Sequence, residues 1–188
     1  ADSKMVGREL PAALSENWNG VGARWSDVEP MSQVVIDEEE TIFQQFPNTA
    51  LYSPFSYLPQ VVGISVAKLF TDHVMVIASM GRIFAWLVVG IILFFSIRYI
   101  PMGKVLLMVL SLLPISMQES ASLAADGLAY AIWVAFVTFV LYMRFSYKEQ
   151  MGRRHYVLLY LLVFYIATVK IAYMPLCLLA FLIPMERF

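Results

Sequence analysis

One cysteine, Cys177, stands in 188 residues, so no internal disulfide can staple the fold. In its apolar surroundings the thiol reads as a small hydrophobe. Only two histidines occur, His73 and His155, far apart and with no Cys or His partner at ligand spacing, so no metal site is expected. Charge is scarce as well: Asp, Glu, Lys and Arg supply 14% of residues, against about 25% in soluble domains. Hydrophobic residues reach 60%, more than a soluble fold can hide when the usual share is about 45–50%. No secretory n-region or cleavage pattern precedes Ala1, and Phe188 follows a hydrophobic run abruptly, so the chain reads as a fragment. Internal repeats are missing too, since the two short apolar hairpins, 105–143 and 156–185, share length but not residue pattern. No nucleic-acid partner is expected.

What is present divides in two. The first sixty residues hold nine of the fourteen acids, while residues 74–188 are nearly continuous apolar sequence. From Val74 to Ile97 the only charge is Arg82, enough chain to cross a hydrocarbon core of about 30 Å at about 1.5 Å per residue. A turn follows in which Pro101 and Gly103 stop the helix and Arg98 and Lys104 supply cations. Further helices are expected at about 104–118, 121–144, 155–169 and 171–185, the last two separated by Lys170 with Pro175 beyond it. The loop 144–155 carries Arg144, Lys148, Arg153 and Arg154 against Glu149, which makes it cytoplasmic by the positive-inside rule. Loop 98–104 then shares that side, and residues 1–73 are extracytoplasmic. The expectation is a multi-pass protein of the cell membrane, with membrane lipid as a partner.

Within the N-terminal region, Tyr52, Pro54, Tyr57 and Pro59 mark an interfacial stretch, because aromatic rings with one wet edge suit the membrane boundary. Pro59 can open a helix, expected over about 59–72. Val62, Val66, Leu69 and Phe70 fall on one face of it, as in a helix lying along the surface; the plainer reading is a short soluble-side helix packed on the bundle. The acidic run 37–40 reads as a solvated face.

Counting along the helices puts Arg82, the pair Glu119 and Asp126, and Lys170 at one depth near the outer interface. Ionised groups there cost about 2.5–3.5 kcal/mol each on insertion scales, so they usually face a protein interior or hydrated cavity. If Glu119 opens a helix continuing through Tyr130, then Glu119, Ser122, Asp126 and Tyr130 share a face, as do Lys170 and Tyr173. A polar pocket in the outer half of the membrane follows. The plainer alternative stays open: Arg82 and Lys170 snorkel to headgroups, Glu119 caps a helix or faces water in a short loop, and Asp126 pairs with a cation.

The stretch from Tyr52 to Gln60, then Gly81 with Arg82, Pro114 with the run Gln118 to Ser122, Ala125 with Asp126, and Lys170 with Tyr173 and Pro175 together resemble the bacterial membrane protein family known as domain of unknown function 2142. That family resembles the GT-C superfamily, polytopic glycosyltransferases that take sugar from a polyprenyl-phosphate carrier. The resemblance implies an all-α, GT-C-like transmembrane helix bundle whose extracytoplasmic N-terminal region carries interfacial helices. It implies a glycosyltransferase of cell-envelope or surface polysaccharide, with a polyprenyl-phosphate sugar donor as partner. The family's first spanning helix and the catalytic acid just after it are expected upstream of Ala1, so no catalytic residue is assigned in this chain. Substrate-binding candidates are Arg82, Gln118, Glu119, Asp126, Lys170 and Tyr173, with Arg82 and Lys170 suited to a phosphate. No cofactor is evident, and a divalent metal stays open. The alternatives are a transporter or flippase of lipid-linked sugar, because buried charges beside broken helices also mark transport sites, and a scaffold without chemistry.

Overall fold

The structure, a computed structural model, describes residues 7–13, 28–37, 39–45, 52–169 and 171–184. The described residues are mostly helical. The all-α expectation fails in one respect, because a two-stranded antiparallel sheet, β1 (Gly7–Pro11) and β2 (Thr41–Gln45), lies near the N-terminus. Burial alternates along β2, the signature of a half-covered strand. Between the strands lies α1 (Val28–Ser32). Backbone bonds from Ile36 N to the Asp72 carbonyl and from Val74 N to the Val34 carbonyl, 2.9 and 3.0 Å, tie the following segment to the start of the first long helix. Asp37, Glu39 and Glu40 are exposed; Glu38 is outside the described residues.

A 3-10 turn, Pro54–Tyr57, leads directly into α2 (Leu58–Lys68). Then come α3 (Val74–Tyr99), α4 (Lys104–Ser111), α5 (Pro114–Ser120), α6 (Asp126–Phe145), α7 (Arg153–Val169) and a second 3-10 stretch, Ile171–Leu182. Of these, α3 and α6 are long and apolar enough to cross a membrane.

Side-chain size, more than polarity, separates inside from outside. On α2 the buried positions are Pro59, Gln60, Gly63 and Ala67, whereas Leu69 and Phe70 are 78% and 84% exposed. Gly63 meets α3 so closely that a Cβ there would lie 2.5 Å from the Met80 carbonyl oxygen. Small residues at such crossings let backbones approach where no water exists to drive apolar groups together. On α3 the inward positions are Val74, Ile77, Gly81, Ala85, Val89, Leu93 and Ser96, while Trp86, Ile91, Phe94 and Phe95 face outward. Only 28% of its most apolar window is buried. A soluble core helix would bury most of it, so a surrounding of lipid accounts for α3 better than water does.

Val89 and Leu93 of α3 pack against Leu128, Ala131 and Val134 of α6 to form one core. A second core joins Phe136, Phe139, Val140 and Met143 of α6 to Leu162 and Ile166 of α7 and to Ile183. Thus α6 is the central helix.

Two expected helices divide differently. The run over 104–118 is broken into α4 and α5 because Pro114 has no N–H and its ring clashes with a helical carbonyl four residues back. Leu113 before it is extended, φ −58° and ψ 140°, as a residue preceding proline prefers. Likewise no helix runs from Glu119 to Tyr130: α5 ends at Ser120 and α6 begins at Asp126. Ser122 draws the chain into a local turn, its hydroxyl accepting from Ala124 N at 3.2 Å, a bond that competes with helix.

Candidate functional site

The break between α5 and α6 turns the chain back on itself. Gly127 makes that reversal possible, since a Cβ on it would sit 2.5 Å from the Glu119 carbonyl oxygen. Two side chains from other elements hold the connection at 121–125. Arg82 Nε of α3 donates to the Ala121 carbonyl at 2.9 Å, and Gln60 Nε2 of α2 donates to the Ala124 carbonyl at 3.1 Å.

Beside this connection a cavity of about 600 Å³ opens, lined by Ile115, Ser116 and Glu119 of α5, Asp126, Tyr130 and Trp133 of α6, and Tyr173 and Leu176 of the C-terminal 3-10 stretch. Of the residues grouped from the sequence, Glu119, Asp126, Tyr130 and Tyr173 line the cavity, brought there by a helix break and not by one helical face, whereas Ser122 does not line it. Trp133 was missed. It continues the Asp126 and Tyr130 face at the next helical step, so the 3.6-residue period carried one turn further would have found it. Tyr173 and Leu176 share a side because residues three apart eclipse in a 3-10 winding.

The remaining candidates sit elsewhere. Gln118 is exposed and does not line the cavity. Arg82 is exposed outside it, with its Nε committed to the Ala121 carbonyl. Lys170 lies outside the described residues. Tyr52 and Tyr57 are half-buried, Pro59 is buried and Pro54 exposed. Ser53 caps the 3-10 turn, its hydroxyl accepting from Phe55 N at 3.4 Å. The turn packs against both α6 and α7. Burial pushes the Tyr57 phenol above its usual pKa, and the neighbouring Tyr52 and the Asp126 carboxylate push it further. The aromatic N-terminal stretch and the acid of the cavity are thus within electrostatic reach of each other.

Several buried polar atoms nearby lack a hydrogen-bond partner: Ser56 Oγ, Gln60 Oε1, Trp133 Nε1 and Tyr165 OH. The Ser56 and Tyr165 hydroxyls lie close enough to influence one another without reaching hydrogen-bond geometry. Each such group costs about 1–3 kcal/mol when left unsatisfied, and of these residues Trp133 lines the cavity. Among the described residues no group of three or more His, Cys, Asp or Glu is placed to hold a metal ion. At the positive end of α6, Asp126 is a carboxylate in a favourable helix-dipole position.

The Arg82 contact yields a measurable expectation. Removing it with Arg82→Ala deletes a charge-assisted bond of about 1.5 kcal/mol. Hydrogen exchange over 121–126 should quicken by about tenfold while that of α7 stays unchanged. Unaltered exchange at 121–126 would show that Gln60 and the local turn suffice.

No curated protein and no solved structure matches this chain. A family model described as "Predicted membrane protein (DUF2142)" matches residues 15–188, covering the cavity, both long apolar helices and the aromatic stretch before them. The chain belongs to the DUF2142 family of predicted membrane proteins.

Proposed function

We propose that this chain forms the sugar-handling part of an integral membrane glycosyltransferase using a polyprenyl-phosphate-linked sugar. The observation that carries the reading is the cavity in which Glu119 and Asp126 face Tyr130, Trp133 and Tyr173. Its volume of about 600 Å³ falls within the range of about 300–1,000 Å³ usual for small-ligand sites. A sugar ring has C–H faces that pack on aromatic rings and hydroxyl edges that donate to carboxylates, so this lining answers both. The ordered motifs carry the likeness to the DUF2142 family, and the proposed resemblance of that family to the GT-C superfamily supplies the reaction class.

In the transfer, the acceptor oxygen forms a bond to the anomeric carbon as the bond from that carbon to the phosphate oxygen breaks. Polyprenyl phosphate leaves with the bonding electron pair. The acceptor proton passes to a carboxylate acting as general base, a role proposed for Asp126, with Glu119 proposed to hold sugar hydroxyls. Arg82 and Lys170 are the cations proposed for the donor phosphate.

The test is reconstitution of the full-length protein in liposomes with a radiolabelled polyprenyl-phosphate sugar and host envelope glycan as acceptor. Label should move into glycan with release of polyprenyl phosphate. Movement of intact donor across the bilayer without bond transfer would instead establish a flippase, and neither outcome would leave a scaffold.

A further inference from the structure

On the other side of α3 from α2, a second hollow of about 610 Å³ runs between α3, α4 and α5. Its walls are hydrocarbon, supplied by residues such as Trp86, Val89, Leu93, Phe94, Met108 and Leu112. The two serines that border it offer it nothing polar, because Ser111 and Ser120 turn their hydroxyls to the Leu107 and Ser116 carbonyls at 2.8 and 2.6 Å. Gly90 widens the groove: a Cβ there would meet nothing within 4 Å.

One end differs. Arg98, in the last turn of α3, and Lys104, at the first position of α4, border the groove from either side of the tight turn that Gly103 makes with φ 73°. Both side chains are exposed, and neither makes a hydrogen bond or ion pair among the described residues. From Trp86 to Arg98 the groove follows α3 for about 18 Å, near the roughly 15 Å depth of one leaflet's hydrocarbon.

We propose that this groove binds an anionic phospholipid, its acyl chain lying along α3 and its phosphate bridging Arg98 and Lys104. The charge distribution selects the occupant. An apolar helix would cover the walls but leave two cations without a counter-charge at the membrane boundary, whereas a phosphate offers oxygens to both and brings its own hydrocarbon. A zwitterionic lipid would fill the same space but place its own ammonium beside two like charges. The site is separate from the Glu119 and Asp126 cavity and stands whether or not transfer occurs there.

The experiment is native mass spectrometry of the full-length protein released from nanodiscs containing equal phosphatidylglycerol and phosphatidylcholine. The wild-type protein should retain phosphatidylglycerol about tenfold over phosphatidylcholine, and Arg98→Gln with Lys104→Gln should abolish that preference. A Cβ at position 90 meets nothing within 4 Å, so Gly90→Leu extends its side chain into the groove and favours the helix; it should fold normally and lose the retained lipid. Photo-crosslinking from benzoylphenylalanine at position 108 should capture phospholipid. Equal retention of the two lipids, full retention by Gly90→Leu, or a crosslink to another helix instead of lipid would each overturn the proposal.

Discussion

On the proposed transfer reaction, Asp126→Asn should lower kcat/KM by about 10²–10⁴-fold, the contribution typical of a positioned proton acceptor, while leaving the fold intact. Asn preserves volume and one acceptor oxygen at the start of α6, so the helix loses only a favourable charge near its positive end, worth about 0.3–1 kcal/mol. What disappears is the ability to take a proton. The companion Glu119→Gln should cost less, about tenfold, because a hydroxyl contact to an amide oxygen still forms and only the charge-assisted part is lost. Activity measured in proteoliposomes, beside the melting midpoint of each variant, checks both. If Asp126→Asn transfers sugar at the wild-type rate, the base lies elsewhere and the cavity at most binds.

Gly127→Leu should damage stability and transfer together, although it replaces no cavity-lining side chain. The new Cβ would fall 2.5 Å from the Glu119 carbonyl oxygen and 3.1 Å from Ser120 Cα, and both are backbone atoms that cannot rotate away. Relief requires the end of α5 to part from α6, at about 1–3 kcal/mol or more for overpacking, which moves Glu119 away from Asp126. Gly90→Ala gives the contrast, since its methyl enters open space and should be neutral or slightly stabilising through helix propensity. Thermal denaturation in detergent separates the two cases. Matching midpoints would show that the α5 to α6 junction yields more readily than its backbone contact implies.

The parts of this architecture set by composition and periodicity were readable without coordinates. Val74 to Ile97 needed no partner to be recognised, because an apolar run of that length has few other destinations, and Pro101 with Gly103 announced its end. Counting residues from charge-bearing turns put Arg82, Glu119 with Asp126, and Lys170 at one depth; Glu119 and Asp126 share one cavity, Arg82 lies outside it, and Lys170 is outside the described residues. The route to that cavity was hidden. Ser122 and Ala124 carry no strong helix-breaking signal, so the interruption at 121–125 emerges from a serine hydroxyl bond and the tight junction at Gly127, both dependent on neighbours distant in sequence. Arg82 showed the same limit: its depth was countable, but its commitment to the Ala121 carbonyl depends on how α3 meets the α5 to α6 connection. The β1 and β2 pair escaped notice because five-residue strands separated by about thirty residues leave only a faint alternation.

The unequal lengths of α3 and α6 have a mechanical consequence. Twenty-six residues extend about 39 Å and twenty about 30 Å, yet the two helices are locked side by side through Val89, Leu93, Leu128 and Val134. A slab thin enough to suit the shorter rod upright leaves about 9 Å of the longer one to lean or emerge. Membrane thickness therefore bears on the tilt of the locked pair, and with it on the depth of the junctions that each rod's ends help to form.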